Sequence, residues 1–171
     1  FIGIHLGDGS MNIYNKNHYL LSYTGHIIDE YLWYTKDFTG IFDDLFNKKL
    51  SVYRDLREKR TSIKLSARSK AILTFLSTSL NIPIGPKNNS IIPGIIKKSH
   101  FLKYFIKGFA DSDFSLSFKK RYKSFHYYPV INFCSNNKLM VYEIDSVLTD
   151  FGLKTSLIFD FLRRRSDKFH I

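Results

Sequence analysis

Between residues 29 and 46 the apolar positions fall at Leu32, Trp33, Phe38, Ile41, Phe42, Leu45 and Phe46. This is the three-and-four spacing of one helix face. Thr61 to Ala67 alternates instead, with Ile63 and Leu65 set against Ser62, Lys64 and Ser66. That is the two-residue period of a half-buried strand. Along the chain these two periods predict helices over 1–6, 29–46, 69–80, 101–110 and 138–151, the last stopped by Gly152. They predict strands in hairpin pairs at 11–14 and 18–24, 50–55 and 61–67, 116–120 and 127–133, and 153–159 and 168–171. Residues 81–94 hold Pro83, Gly85, Pro86, Pro93 and Gly94 and read as a linker. The order helix, two strands, helix, two strands therefore occurs once before the linker and restarts after it. The expected division is a first repeat over 1–80, a linker over 81–99 and a second repeat over 100–171.

A short segment is also repeated. Phe1-Ile-Gly-Ile-His-Leu-Gly-Asp-Gly-Ser10 is echoed by Ile106-Lys-Gly-Phe-Ala-Asp-Ser-Asp-Phe-Ser115, with Gly3, Asp8 and Ser10 recurring 105 positions later as Gly108, Asp113 and Ser115. Gly3-x-x-x-Gly7 and Gly108-x-x-x-Ser112 each put two small residues one helical turn apart. Small residues let two helix backbones approach closely. Close approach would bring the two carboxylates together, where they repel unless a cation lies between them. Mg²⁺ takes one or two carboxylates plus substrate phosphates, and paired carboxylates suit metal-dependent phosphodiester chemistry. Taken singly, Asp8 in Asp-Gly is also an ordinary turn residue. His5, inside the first segment, reads as a packing residue, and Asp111 as a local capping group.

The two segments resemble the motif of the LAGLIDADG homing endonuclease family over nine positions each, Phe1 to Gly9 and Ile106 to Phe114. The resemblance implies an α+β fold of two αββαββ repeats related by pseudo-twofold symmetry, with saddle-shaped antiparallel sheets. It implies that Asp8 and Asp113 are catalytic and bind Mg²⁺, and that a monomer cuts both strands of double-stranded DNA at a long site. The gene would sit in an intron or intein. The same scaffold also supports two rival functions: an RNA-binding maturase acting on intron RNA, and a non-catalytic DNA-binding regulator. The family places a basic residue near the metal, and Lys70 best matches that place, with Lys64 second; the alternative for Lys70 is a surface helix lysine. The linker text Asn81-Ile-Pro-Ile-Gly-Pro-Lys87 is similar to that of the family. Phe114 stands where the motif ends in Gly, and Lys107 where a small residue is usual. A Phe there is expected to tighten the exit from the helix and displace Asp113.

Charge supports a polyanionic partner. Lysine and arginine number 26 against 15 acidic residues, a net of +11, which points to nucleic acid before an anionic membrane. Lys64 falls on the polar face of its strand, and Ser22 and Asn132 are polar strand residues suited to base edges. The clusters Lys119, Lys120, Arg121 and Lys123, and Arg163, Arg164 and Arg165, fall at hairpin tips and read as phosphate anchors, or else as solvated turns. No apolar run is long enough for a membrane helix, and no secretion signal is visible. The six histidines lack zinc spacing. No Walker loop, dinucleotide fingerprint or nucleophile elbow is present. The lone Cys134 excludes an internal disulfide, reads as a small buried hydrophobe and fits a reducing compartment. The expectation is an intracellular, DNA-containing location. The chain opens inside the first motif helix and reads as a piece of a longer protein.

Overall fold

The computed structural model describes residues 1–55, 61–160 and 168–170. The first repeat runs α1 (Ile2–Gly7), β1 (Gly9–Tyr14), β2 (His18–His26), α2 (Thr39–Phe46), β3 (Ser51–Asp55), β4 (Ser62–Arg68) and α3 (Lys70–Thr74). A one-turn helix, α4 (Gly94–Lys97), lies in the connecting segment. The second repeat runs α5 (Leu102–Asp113), β5 (Phe114–Lys119), β6 (Tyr128–Ser135), α6 (Lys138–Asp150), β7 (Ile158–Asp160) and β8 (Lys168–His170). Each repeat holds one four-stranded sheet, in the orders β1-β2-β4-β3 and β5-β6-β8-β7. All strand pairs are antiparallel. The expected α+β fold of two αββαββ repeats is the one that forms.

Side-chain caps set two helix starts. The Ser69 and Asn137 side chains accept from Ile72 N at 3.2 Å and Met140 N at 3.3 Å, capping α3 and α6. Two predicted helices are not uniformly α-helical. Trp33–Phe38, leading into α2, and Phe75–Ser79, continuing α3, are π-helical. In the first, Thr35 and Thr39 hydroxyls donate to the carbonyls of Tyr31 and Thr35, each at 2.7 Å. Such back-bonding competes with the regular ladder, and apolar spacing does not report it.

The core face of the first sheet carries Met11, Leu21, Tyr23, Ile63 and Leu65, and Tyr34, Phe38, Phe42, Leu73 and Leu76 bury it. The second sheet is covered less completely. Met11 and Leu21 pair across the strands and are 1% and 0% exposed, whereas the equivalent pair Leu116 and Ile131 is 61% and 64% exposed. In the first repeat α3 and its π-helical turn, with Ile72, Leu73 and Leu76 buried, supply the cover. Cys134 departs from expectation: it is exposed, on a strand position whose first-repeat counterpart is Thr24. Among the described residues no helix is long and apolar enough to cross a membrane.

Candidate active site at the paired helix ends

Helices α1 and α5 pack against each other, and glycine makes that possible. A Cβ on Gly3 would overlap the Phe105 carbonyl oxygen and lie 2.6 Å from Phe109 N. On Gly108 it would lie 3.2 Å from Ile4 Cγ1. On Gly7 it would overlap Ser112 Oγ and Asp113 Oδ2. The C-terminal end of one helix therefore touches the carboxylate that ends the other.

Both carboxylates stand at the junction of helix and strand. Asp8 follows the last residue of α1, and β1 begins at Gly9; Asp113 is the last residue of α5, and β5 begins at Phe114. The second motif helix thus runs three residues beyond the predicted Ala110, and both strands begin directly after the acid. Phe114 does not obstruct this. It is extended (φ −89°, ψ 149°), and its ring stacks on Phe133 at 5.5 Å and meets Phe109 edge-on at 6.2 Å. Glycine is required only in the first copy, where a Cβ on Gly9 would lie 2.5 Å from His5 O and 2.7 Å from His5 Nδ1. Lys107 is exposed, away from the helix contact, and Asp111 is also exposed.

His5 is a packing residue, as expected. It is buried, its Nδ1 lies 2.9 Å from Tyr23 Oη, and burial, with Lys87 nearby, lowers it to about 3, so the ring is neutral.

Electrostatics mark the site. Burial pushes the Asp8 carboxyl up to about 6; the neighbouring charges of Asp113 and Glu30 push the same way, and the Tyr34 hydrogen bond and Lys87 oppose them. Burial also raises Asp113, opposed by Lys87 and Ser112. The Tyr34 hydroxyl donates to Asp8 Oδ2 at 2.7 Å from a fully buried ring in the π-helical turn. Burial and the Asp8 contact hold this phenol far above its usual range, so it stays a donor.

The basic group beside the carboxylates is Lys87. Its ammonium donates to the carbonyls of His5 (3.3 Å), Leu6 (2.5 Å) and Gly7. A cation is favoured at a helix C-terminus, where carbonyls lack intrahelical partners. Burial lowers Lys87 to about 8, against the raising effect of Asp113 and Asp8. The connecting segment is tied on both sides of it. Gly85, at φ +88°, donates to Met11 O at 2.7 Å. The buried Asn137 side chain donates to Lys87 O at 3.0 Å and Ser90 O at 2.7 Å. Glu143 accepts from Ile92 N at 2.6 Å. A cleft of about 420 Å³ opens here, lined by Gly7, Lys87, Asp113 and Asn137 among others.

The other expected residues lie elsewhere. Lys70 is exposed, its Nζ 5.7 Å from the Tyr19 ring, and Tyr19 is four residues along β2 from the Tyr23 that pairs with Gly9. Lys64 is exposed on β4 between Thr24 and Tyr53. Ser22 is buried, with its hydroxyl 2.9 Å from Ser10 Oγ, so it offers no open group to a groove. Asn132 is half-buried, and its amide donates to Ser117 Oγ at 3.4 Å. Lys119, Lys120, Arg121 and Lys123 are all exposed at the β5–β6 tip. Arg163, Arg164 and Arg165 lie outside the described residues.

No family model and no curated protein sequence matches the chain. Its three-dimensional structure does match solved ones. Mesophilic variants of the homing endonuclease I-DmoI align with a TM-score of 0.65 at 16% identity, covering 99% of this chain and 84% of that one. I-WcaI bound to its DNA recognition sequence gives 0.56 at 16% identity, covering 99% and 72%. The LAGLIDADG homing endonuclease I-GzeII in complex with DNA target gives 0.53 at 14% identity, covering 99% and 76%. The fold is that of the homing endonucleases.

Among the described residues no group of three or more His, Cys, Asp or Glu side chains could hold a metal ion. Asp8 and Asp113 are a pair of hard oxygen donors. That number fits Mg²⁺, which keeps several waters and completes its shell with substrate phosphates. It does not fit a closed zinc or calcium site.

Proposed function

We propose that this chain is a site-specific endonuclease that hydrolyses phosphodiester bonds in both strands of double-stranded DNA with Mg²⁺. The observation that carries the reading is the pair of electrostatically coupled carboxylates at the abutting helix ends, with a buried lysine beside them. The shared fold supports it: I-DmoI has been solved in complex with DNA and Mn, and a variant of it with its target DNA in the presence of Mg. Asp8 and Asp113 would hold the metal, which when bound supplies a Lewis acid and an activated water. Tyr34 holds the Asp8 carboxylate in place. Lys87 takes the role that the sequence suggested for Lys70. At about 8 it lies close to a working pH, so it can stabilise charge developing on the phosphate or pass a proton to the departing oxygen. One chain supplies both carboxylates, so a monomer suffices. Such an enzyme would work in a DNA-containing compartment.

The test is incubation with Mg²⁺ and a plasmid carrying the uninterrupted allele of the host gene. The expected result is a linear product that EDTA prevents. Specific binding to that DNA without cutting would make the chain a DNA-binding regulator instead. Lys87→Met is expected to slow single-turnover cleavage by about 10²- to 10⁴-fold with little change in DNA affinity. Lys70→Met is expected to leave the rate near wild type. Lys87→Arg separates two roles, since arginine keeps the charge but does not give up its proton: recovery indicates charge stabilisation, and loss indicates proton transfer. Equal rates for Lys87→Met and wild type would remove Lys87 from the chemistry.

A further inference from the structure

The two repeats differ at one hairpin tip. β1 and β2 are joined by three residues, Asn15 to Asn17, between the pair Tyr14 and His18. β5 and β6 are joined by eight, Lys120 to Tyr127, between Lys119 and Tyr128. From Phe114 to Tyr142 the chain has no acidic residue, and Lys119, Lys120, Arg121 and Lys123 concentrate at this tip. Aromatic rings are interleaved with the cations. The Arg121 guanidinium lies 4.4 Å from the Tyr128 ring centre and 5.1 Å from that of Tyr122. Lys123 Nζ lies 4.8 Å from the Tyr127 ring and 5.3 Å from that of Phe125. Tyr127 meets Phe125 at 5.8 Å and Tyr128 at 6.4 Å between ring centres.

This ladder is held in shape while its outer faces stay open. Tyr127 N donates to Lys119 O at 3.1 Å, and His126 Nδ1 lies 2.9 Å from Phe118 O. Arg121 sits at φ +43°, an unfavourable conformation for a non-glycine residue. Yet Tyr122 is 81% exposed and Phe125 58%. Lysines and arginine alone would serve a phosphate backbone. Exposed rings add nothing to that contact, whereas the face of an unpaired base stacks on them and the adjacent cations take its phosphates.

We propose that the β5–β6 tip is a binding site for unpaired nucleotides, a stacking platform in which Tyr122 and Phe125 take base faces while Lys120, Arg121 and Lys123 hold the backbone. It stands on the tip alone and does not depend on the nuclease reading.

The experiment measures the anisotropy of fluorescein-labelled oligouridine, oligothymidine and a mixed-sequence duplex, in EDTA so that no strand is cut. The wild type is expected to bind both single strands. The double variant Tyr122→Ala, Phe125→Ala is expected to weaken single-strand binding by about tenfold or more, in keeping with the loss of stacked bases, and duplex binding by less than about twofold. Lys120→Ala with Lys123→Ala should weaken single strands and duplex alike and flatten the salt dependence of both. 2-Aminopurine in the single strand should be quenched by the wild type and less by the ring variant. The comparison of oligouridine with oligothymidine separates an RNA site from a DNA site. Absence of single-strand binding, or equal loss on single strand and duplex in the ring variant, would overturn the proposal. Retained cleavage in the ring variant would leave the nuclease reading intact.

Discussion

Asp8→Asn should abolish DNA cleavage and yet make the protein more stable at neutral pH. On the proposed function the loss of cleavage follows from removing one of the two proposed ligands, with the sheets and basic tip still expected to hold DNA, so binding in Ca²⁺ should be largely kept. The gain in stability follows from burial. The Asp8 carboxyl titrates at about 6 in the folded chain, against about 3.9 when unfolded. A raised carboxyl is a penalty: it is absent below about pH 4, where both states are protonated, grows between 4 and 6, and is fully present above 6. A two-unit shift corresponds to about 2.7 kcal/mol. Asp8 is only partly withdrawn from water, so screening reduces this to about 1–2 kcal/mol. Asparagine removes the charge and still accepts from Tyr34. Thermal unfolding in EDTA should therefore give a higher midpoint for Asp8→Asn at pH 7.5, with the difference vanishing near pH 4. Asp113→Asn should behave in the same direction, since burial raises that carboxyl too. Saturating Mg²⁺ should narrow the gap by stabilising only the wild type. A variant that cuts at the wild-type rate would show that its carboxylate is not a ligand, and an Asp8→Asn midpoint below wild type at pH 7.5 would remove the electrostatic account. Active sites commonly carry such a conflict between stability and activity.

What can be read in the sequence is whatever short-range sterics dictate. Gly3 recurs as Gly108 in the contact between α1 and α5, where Gly3 faces backbone too closely for a Cβ and Gly108 faces the Ile4 side chain, so the repeat shows both the pairing of α1 with α5 and the place of the two acids. Strand alternation gives the other strands to within a residue or two, but β7 begins at Ile158, five residues after the expected 153. Lys87 stands in the linker text, but the family pattern points to Lys70 for the basic residue that we propose to be Lys87. Lys87 meets carbonyls 80 to 82 positions earlier in the chain, and no local period encodes that contact. A signal is present: Lys87 is the one charged residue between Lys70 and Lys97, isolated in an otherwise uncharged segment. Tyr34 is hidden in a similar way. Its place four residues before Phe38 and eight before Phe42 sets its ring on the buried helix face, but its hydroxyl reaches Asp8, 26 positions earlier, and no local period encodes that contact. Ser22 shows the opposite error, because strand alternation sets it on the polar face but cannot show that Ser10 engages it. For Phe114, the family pattern suggests strain; the backbone there is extended and the ring packs on Phe109 and Phe133, contacts that the motif alone does not show.

Gly3→Ala should prevent stable folding, whereas Gly108→Ala should not. The two glycines are equivalent in the repeat but not in what surrounds them. A methyl on Gly3 would meet backbone, the Phe105 carbonyl oxygen and Phe109 N at 2.6 Å. Backbone cannot rotate aside, so α1 and α5 must separate. The contact they make buries Ile4, Leu6, Phe105 and Phe109, each 5% exposed or less. Overpacking that side chains can absorb costs about 1–3 kcal/mol. A rigid clash at the centre should reach or exceed the top of that range, a large share of the ~5–15 kcal/mol that holds an ordinary domain together. A methyl on Gly108 would meet Ile4 Cγ1 at 3.2 Å, the flexible side of the same contact, and should cost about 1 kcal/mol. Gly40 in α2 serves as the reference: nothing lies within 4 Å of a Cβ there, and Gly40→Ala should stabilise by about 0.5–1 kcal/mol through helix propensity alone. Urea unfolding of the three variants gives the order directly: Gly40→Ala above wild type, Gly108→Ala slightly below, and Gly3→Ala far below or without a cooperative transition. Gly3→Leu should be worse still. A Gly3→Ala midpoint equal to that of the wild type would mean that the helices do not meet at Gly3, and the paired carboxylates would lose the contact that brings them together.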